Sequence, residues 1–213
     1  MKATAVLPVK RFAEAKQRLA GGMGASHRAE LAAAMLEDTL DAVGAAPSIE
    51  RTIVVTGEPR ATDVSIARGA AVLPDPGEGG HSGAALAGIE RAIELGARRV
   101  VLLPIDCPLL EPRELERLLT GMPERYVAIV PDRHGTGTNA LALAPPDAIE
   151  PSFGEGSCAR HVAAARAAGV PYGVEELPSL ALDLDTPADV VALTRELNER
   201  PGRARRTAKA LGI

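Results

Sequence analysis

Short apolar segments alternate along the chain with longer stretches in which apolar residues recur every three or four positions. The first pattern is typical of strands buried on both faces of a sheet, and the second of amphipathic helices. Strands are predicted at residues 3–9, 52–56, 70–73, 99–105, 126–130, 140–144 and 180–184. Helices are predicted at 27–43, 61–68, 83–95, 112–119, 159–168 and from 187 to about 197, with Ser26 capping the first and Thr186 the last. This alternation predicts an α/β fold, a single three-layer α/β/α domain around a mostly parallel sheet.

Composition sets the broad class of protein. The chain has 213 residues, of which 46% are hydrophobic, and a net charge of −4. We expect one domain over residues 1–200, followed by a basic tail at 201–213 that is frayed or loosely docked. The negative charge and the 2% of aromatic residues argue against a nucleic-acid partner. No apolar run is long enough for a membrane span, so neither a membrane partner nor a location outside the cytoplasm is expected.

Three acidic residues follow predicted strands. Asp106 comes directly after the most apolar strand, and Asp183 and Asp185 come at the end of the last one. Carboxylates at the carboxyl edge of a parallel sheet lie where ligands bind, and their hard oxygens suit Mg²⁺. The plainer alternative is that Asp185 only precedes a helix and Asp106 only opens a turn. Taken together, the three residues favour a metal site.

The loop after the first strand is rich in cations. It carries Lys10, Lys16 and Arg18, although lysine is scarce in this chain, with four residues against 20 arginines. Such side chains could point at phosphates from the carboxyl edge of the sheet. A solvated basic turn is the alternative. The loop is neither a P-loop nor a dinucleotide fingerprint, because the glycine patterns of both are absent.

Glycine-rich loops provide the remaining candidates. Residues 134–139 and 151–157 flank one predicted strand, and their glycines and hydroxyls could grip a small phosphorylated acid from two sides. A third loop, at 75–83, contains Gly80 and Ser82 and could hold a nucleotide base or sugar near a helix start. Ordinary turns are the alternative for all three loops. For Arg160 and His161, a surface role is at least as plausible as contact with an acidic ligand.

Together these residues resemble the small guanylyltransferases of deazaflavin coenzyme F-420 biosynthesis. The resemblance spans nearly the whole chain, and its Gly-Thr-Gly-Thr-Asn and Phe-Gly-x-Gly-Ser pieces are the most specific. One departure lies at residues 80–86, where this chain has no Asn at the expected base-binding position. The matching pieces are Leu7-Pro-Val-Lys10, Lys16-x-Arg-Leu19, Asp106-x-Pro-Leu-Leu110, Gly135-Thr-Gly-Thr-Asn-Ala-Leu141, Pro151-x-Phe-Gly-x-Gly-Ser157 with His161, and Leu182-Asp-x-Asp-Thr-Pro187.

The resemblance implies a Rossmann-like nucleotidyltransferase fold and transfer of GMP from GTP to phosphoenolpyruvate or 2-phospho-L-lactate, with release of pyrophosphate. The implied roles are Mg²⁺ ligation by Asp106, Asp183 and Asp185; catalysis by Lys10, Lys16, Arg18 and Asp106; nucleotide binding by Lys10, Lys16, Gly80, Ser82 and Asp106; and acceptor binding by Thr138, Gly154 and Ser157.

Two alternatives to this function stay open. The first is a nucleotidyltransferase that uses another nucleotide or another acceptor, such as 3-phosphoglycerate or a pterin phosphate. The second is an inactive nucleotide-binding regulator, against which the retained acids and lysines argue. The sequence does not fix the oligomeric state, and a homodimer is one option.

Overall fold

The computed structural model describes residues 2–14, 16–20, 22–200 and 202–213. Its strands are β1 (Ala3–Val9), β2 (Ile49–Thr56), β3 (Ala71–Pro74), β4 (Val100–Leu102), β5 (Tyr126–Pro131), β6 (Thr138–Ala144) and β7 (Tyr172–Val174). Its helices are α1 (Ala25–Gly44), α2 (Pro59–Ala67), α3 (Gly80–Glu94), α4 (Pro112–Gly121), α5 (Ser157–Ala167), α6 (Pro187–Glu199) and α7 (Arg205–Leu211). Short 3-10 turns cover Phe12–Glu14, Gln17–Leu19 and Pro178–Leu180.

The strands form a seven-stranded sheet in the order β3-β2-β1-β4-β6-β5-β7. Strand β6 is antiparallel to both of its neighbours, and the other pairings are parallel. Because β6 runs in the opposite direction, its first residue, Thr138, lies at the same edge as the carboxyl ends of β1, β4 and β5. This edge therefore collects loops from four central strands.

Two apolar cores cover the two faces of the sheet, as the continuous apolar strands predicted. One core packs α1, α2, α4 and α6 against side chains such as Leu7 and Val101. The other packs α3 and α5 against side chains such as Val6 and Leu102. Neighbouring residues of the five central strands alternate between the two cores. The predicted three-layer α/β/α domain with a mostly parallel sheet is confirmed.

Helix α3 lies unusually close to the sheet at Gly88. A Cβ atom added there would lie 2.3 Å from Cγ1 of Val6 and 3.1 Å from Cγ2 of Val55. Both atoms belong to buried side chains of the sheet, so the close approach requires glycine. This contact fixes the height of α3, whose first turn reaches the edge where the strands β1 and β4 end.

Several local predictions were wrong. Residues 180–184 form a 3-10 end and irregular chain instead of a strand, and β4 ends at Leu102 instead of residue 105. Gly24, not Ser26, caps α1. Strand β7 was not predicted. Thr186 caps α6 as predicted, and it forms a capping box with Asp189.

The basic tail does not fray over residues 205–211, which form α7. Asp38 of α1 accepts hydrogen bonds of 2.8 Å from both the backbone N–H and the hydroxyl of Thr207. Arg206 forms ion pairs with Glu37 at 2.9 Å and with Asp41 at 2.6 Å. The expectation of a loose end overlooked these acidic partners on α1. The domain division at residue 200 stays a prediction.

Among the described residues, no helix combines the length and the apolar character that a membrane crossing requires.

Candidate active site

A cavity of about 710 Å³ opens at the sheet edge where β1, β4 and β5 end and β6 begins. The cavity unites most of the residues singled out in the sequence, although they are spread over 175 positions of the chain. Its lining includes Lys10, Lys16, Arg18, Asp106, Thr138, Gly154, Ser157, Asp183 and Asp185. Gly80 and Ser82 do not line it, but His81 between them does.

The most constrained charge in the cavity is the ammonium of Lys16. Its Nζ lies 2.8 Å from Oδ2 of Asp106 and 2.9 Å from Oδ1 of Asp185, and its side chain is only 8% exposed. Burial disfavours the charged form, but the two carboxylates outweigh it and raise the pKa of Lys16. The same contact, acting against burial, lowers the pKa of Asp106. Lys16 therefore carries its charge at neutral pH and ties two distant loops together.

Lys16 also has an unusual backbone. Its φ of 55° lies in the left-handed region, which a residue other than glycine seldom adopts. The residue stands between the turns Phe12–Glu14 and Gln17–Leu19, and the left-handed conformation starts the second turn. Such conformations persist where surrounding contacts impose them, and they concentrate at functional sites. Here the two carboxylate contacts supply that constraint.

Backbone and side-chain hydrogen bonds hold the segment 177–185 against the loop that follows β4. The N–H of Leu184 donates to the carbonyl of Asp106 at 2.9 Å, which places Asp183 and Asp185 on either side of a residue bound to Asp106. Asn139 donates from Nδ2 to the carbonyl of Leu180 at 2.6 Å. Asn139, one of two asparagines in the chain, thus has an anchoring role in the fold.

Negative charge is concentrated beside Lys16. Burial, and after it the carboxylate of Asp106, raises the pKa of Asp183. Arg18 lies 3.9 Å from Asp185 with a side chain that is 76% exposed, so it neutralises little of this charge. Since these surroundings disfavour the ionised form of Asp183, a further cation bound beside it would stabilise that form.

The donor set fits a hard divalent cation in its chemistry, since all three acids supply carboxylate oxygens. Within the described ranges, however, no group of three or more Asp, Glu, His or Cys side chains is arranged to hold a metal ion. The ammonium of Lys16 lies between Asp106 and Asp185 instead. Ligation of Mg²⁺ by the three acids stays a prediction.

A second group of polar side chains forms the opposite wall, built from β6 and the start of α5. The hydroxyl of Thr138 lies 3.0 Å from Nδ1 of His161 and 3.1 Å from the hydroxyl of Ser157. The backbone N–H of Ser152 donates to Nε2 of His161 at 2.9 Å. Because Nε2 accepts, Nδ1 carries the proton of the neutral ring and donates to Thr138.

His161 is fully buried, which excludes the surface role, one of the two alternatives left open by the sequence. Burial, followed by the positive charge of Arg160, lowers the pKa of His161 to about 4. The ring is therefore neutral at pH 7, and it orients the Thr138 hydroxyl. The sequence offered one signal, the i,i+4 spacing of His161 from Ser157 on a helix whose buried side includes both.

Phe153 connects this wall to the first turn of α3. Its ring meets that of His81 edge-on at 5.0 Å and that of His161 at 5.4 Å. Its backbone N–H donates to the hydroxyl of Ser82 at 2.9 Å. Ser82, predicted to bind nucleotide, therefore uses its hydroxyl to join the start of α3 to the loop that contains Phe153, and its role toward nucleotide stays a prediction.

The glycine loop 132–138 is organised by Asp132. Its Oδ1 accepts from the N–H groups of His134 at 3.1 Å and Thr136 at 3.0 Å. A Cβ on Gly137 would lie 2.6 Å from Oδ2 of Asp132, so a side chain there would displace the carboxylate that organises the turn. Arg133 pairs with Asp189, the capping acid of α6, and so ties this loop to the acidic segment.

Comparison with known proteins identifies the family to which this chain belongs. The model of the family described as guanylyl transferase CofC like matches residues 3–203. The phosphoenolpyruvate guanylyltransferase of Conexibacter woesei is 48% identical over 210 residues, covering 97% of this chain and 94% of that protein. That of Sphaerobacter thermophilus is 42% identical over 193 residues, covering 91% and 93%.

A solved structure of a proposed nucleotide-diphospho-sugar transferase from Desulfovibrio desulfuricans G20 has a TM-score of 0.77. It covers 99% of this chain and 97% of its own. At 19% identity, that likeness concerns the fold alone. The predicted nucleotidyltransferase fold and enzyme class are confirmed, and the chain belongs to the CofC-like guanylyl transferase family.

Proposed function

We propose that this protein transfers GMP from GTP to phosphoenolpyruvate and releases pyrophosphate, as a step of coenzyme F-420 biosynthesis. Relatives at 48% and 42% identity carry the name phosphoenolpyruvate guanylyltransferase. The observation that carries the proposal is one cavity with two unlike walls. A buried Lys16 with three carboxylates faces hydroxyls and glycines of the loops around β6.

The reaction joins two polyanions, so its main difficulty is charge. A phosphate oxygen of the acceptor attacks the α-phosphorus of GTP, a new P–O bond forms, and the bond to the β-phosphate oxygen breaks. Pyrophosphate leaves with that electron pair. The attacking phosphate is already ionised at neutral pH, so no strong general base is needed. Catalysis then depends on alignment and on neutralising charge.

The cations at the end of β1 suit the triphosphate. Lys10 directly follows β1 and lines the cavity. Lys16 and Arg18, later in the same loop, line it as well. We assign all three to the β- and γ-phosphates and to the departing pyrophosphate. Lys16 is the central residue, because its pKa is raised and it carries a full charge throughout.

The acidic residues are assigned to metal ligation. When bound, Mg²⁺ would neutralise phosphate oxygens and hold both substrates in line. Asp106, Asp183 and Asp185 would provide the oxygens for it, and the crowding that raises the pKa of Asp183 supports this assignment. Without a bound cation, Lys16 neutralises Asp106 and Asp185 within the fold.

The wall around β6 suits the acceptor. Thr138 accepts from both His161 and Ser157, so its own hydroxyl proton can be donated to a phosphate or carboxylate, and Ser157 and Gly154 line the cavity beside it. The neutral His161 fixes the Thr138 hydroxyl from behind. Gly80 and Ser82 stay assigned to the nucleotide, through the first turn of α3, next to the cavity-lining His81.

The decisive experiment measures pyrophosphate release with each of the four common nucleoside triphosphates and a panel of phosphorylated acids, with Mg²⁺. Mass spectrometry of the products with phosphoenolpyruvate and 2-phospho-L-lactate in competition identifies the acceptor. GTP with phosphoenolpyruvate should give the fastest release. A different preferred pair would establish another nucleotidyltransferase, and no release with any pair would support the inactive regulator.

A matched pair of variants tests the acidic cluster. Asp106→Asn should reduce turnover by at least about a hundredfold, since it removes a charge that Lys16 and a metal ion both need. Glu111→Gln, five residues further along, alters a carboxylate that pairs with Arg203 at 2.8 Å outside the cavity, and should leave turnover near that of the wild type. Equal activity of both variants would contradict the assignment.

The cytoplasmic location and a homodimer stay predictions.

A further inference from the structure

The loop 152–156 is held from one side by a single guanidinium group, that of Arg160 in the first turn of α5. Its Nε donates to the hydroxyl of Ser152 at 2.8 Å. Its Nη2 donates to the carbonyls of Ser152 at 3.0 Å and Phe153 at 3.1 Å, and its Nη1 donates to the carbonyl of Glu155. All three nitrogens of the side chain are therefore engaged by one short loop.

These contacts determine which way the peptide N–H groups of the loop point. In a trans peptide the C=O and the N–H lie on opposite sides, and no peptide bond of this loop is cis. Because the carbonyls of Phe153 and Glu155 face Arg160, the N–H groups of Gly154 and Gly156 point away from it. Within the described structure, the N–H groups of Gly154, Glu155 and Gly156 have no protein partner.

The backbone shape of the loop agrees with an anion-binding role. Gly154 has a φ of 105° and Gly156 a φ of 70°, conformations that side-chain-bearing residues seldom adopt. Left-handed residues of this kind occur in the concave backbone nests that bind anions through successive N–H groups. Gly154, Glu155 and Ser157 line the cavity, whereas Arg160 does not.

We propose that Arg160 is a positioning residue, which turns the N–H groups of Gly154 and Gly156 toward the anionic acceptor without touching it. The inference rests on the proposed function, since it assigns these N–H groups to the phosphorylated acid. A lysine cannot replace the arginine, because a single ammonium does not span the acceptors of Ser152, Phe153 and Glu155 in a planar fork. Arg160 thus contributes geometry, and its charge alone does not suffice.

The experiment compares Arg160→Ala and Arg160→Lys with a matched control on the same helix. Arg166 is also exposed, and it bonds the hydroxyl of Tyr172 at 2.8 Å away from the cavity. Arg160→Ala and Arg160→Lys should each raise the KM for phosphoenolpyruvate at least about tenfold, with the KM for GTP within about twofold of the wild type. Arg166→Ala should change neither constant, although it removes the same charge from α5.

Two further measurements separate positioning from a general structural effect. Millimolar guanidinium chloride should lower the KM for phosphoenolpyruvate in Arg160→Ala and not in the wild type, since the free ion can occupy the vacated position. In amide NMR spectra, phosphoenolpyruvate should shift the signals of Gly154 and Gly156 in the wild type much more than in Arg160→Lys. This binding readout requires no turnover.

Several outcomes would overturn the proposal. They are full activity of Arg160→Lys, equal rises in both KM values, no rescue of Arg160→Ala by guanidinium, or unshifted glycine amides in the wild type. If Arg160→Ala does not fold, the comparison of Arg160→Lys with the wild type still decides. Failure of the proposed function is distinct, since the wild-type protein would then release no pyrophosphate with phosphoenolpyruvate and GTP.

Discussion

The buried imidazole of His161 makes the stability of this protein depend on pH in a defined window. Burial, followed by the charge of Arg160, lowers the pKa of His161 from 6.5 to about 4 in the folded protein. Between these two values the unfolded chain binds a proton that the folded protein does not. The part of the folding stability that depends on a neutral His161 is therefore complete above pH 6.5, and it is lost progressively as the pH falls toward 4.

The magnitude follows from the two pKa values. A tenfold difference in proton affinity corresponds to about 1.4 kcal/mol, so the full loss is about 3 kcal/mol, of which about 2 kcal/mol falls between pH 7 and pH 5. His161→Gln cannot take up a proton and should lack this part of the pH dependence. At pH 7 the same variant should be less stable by about 1–3 kcal/mol, because it disturbs the hydrogen bonds to Thr138 and Ser152.

The assay is urea unfolding followed by circular dichroism at pH 7 and pH 5. All carboxylates are common to the two proteins, so the difference between their pH dependences isolates His161. His134→Gln is the matched control, in which an exposed histidine is replaced in the same way. The reasoning is refuted if His161→Gln loses as much stability as the wild type between the two pH values.

Three further predictions concern other parts of the molecule. Lys16→Gln should bind Mn²⁺ at least about tenfold more tightly, because it removes a competing cation from two carboxylates, and should turn over at least about a hundredfold more slowly; weaker Mn²⁺ binding in a calorimetric titration would contradict this. Asp38→Ala should cost about 2–3 kcal/mol and expose the C-terminal helix to limited proteolysis, because Thr207 loses two hydrogen bonds of 2.8 Å; an unchanged cleavage rate would argue against docking. Gly88→Ala should destabilise the protein by about 1–3 kcal/mol in thermal unfolding, since its Cβ would lie 2.3 Å from Val6, whereas Gly44→Ala, with open space around it, should not.

Hydrophobic pattern and local chemistry determined most of the elements in advance. The strands that enter both cores, the amphipathic helices and the capping box of Thr186 all depend on residues close together in sequence. Asp106, Asp183 and Asp185 were also predicted to meet at one edge of the sheet, and they line one cavity there, although the strand at 180–184 on which that prediction rested does not form.

Residues 180–184 show where the pattern misled. Leucine recurs at every second position from 180 to 184, as in a strand, and Leu180 and Leu184 are fully buried. Strand β4, however, already pairs with β1 on one side and β6 on the other, so no sheet edge was left for this segment beside Asp106. The segment is held by hydrogen bonds from Asn139 and to Asp106 instead.

The sequence by itself determined the fold class, the family and the chemical types of the site residues, because apolar periodicity and short motifs are local properties of the chain. Only the tertiary structure decided that Lys16 lies between Asp106 and Asp185, that His161 is buried, and that Arg160 binds the carbonyls of the loop 152–156. It also decided that the basic tail docks on the acids of α1. The contacts of Lys16, the burial of His161 and the docking of the tail depend on partners or packing far away in sequence. For Arg160, the partners are close in sequence, but the sequence does not reveal which way a loop turns its peptide groups.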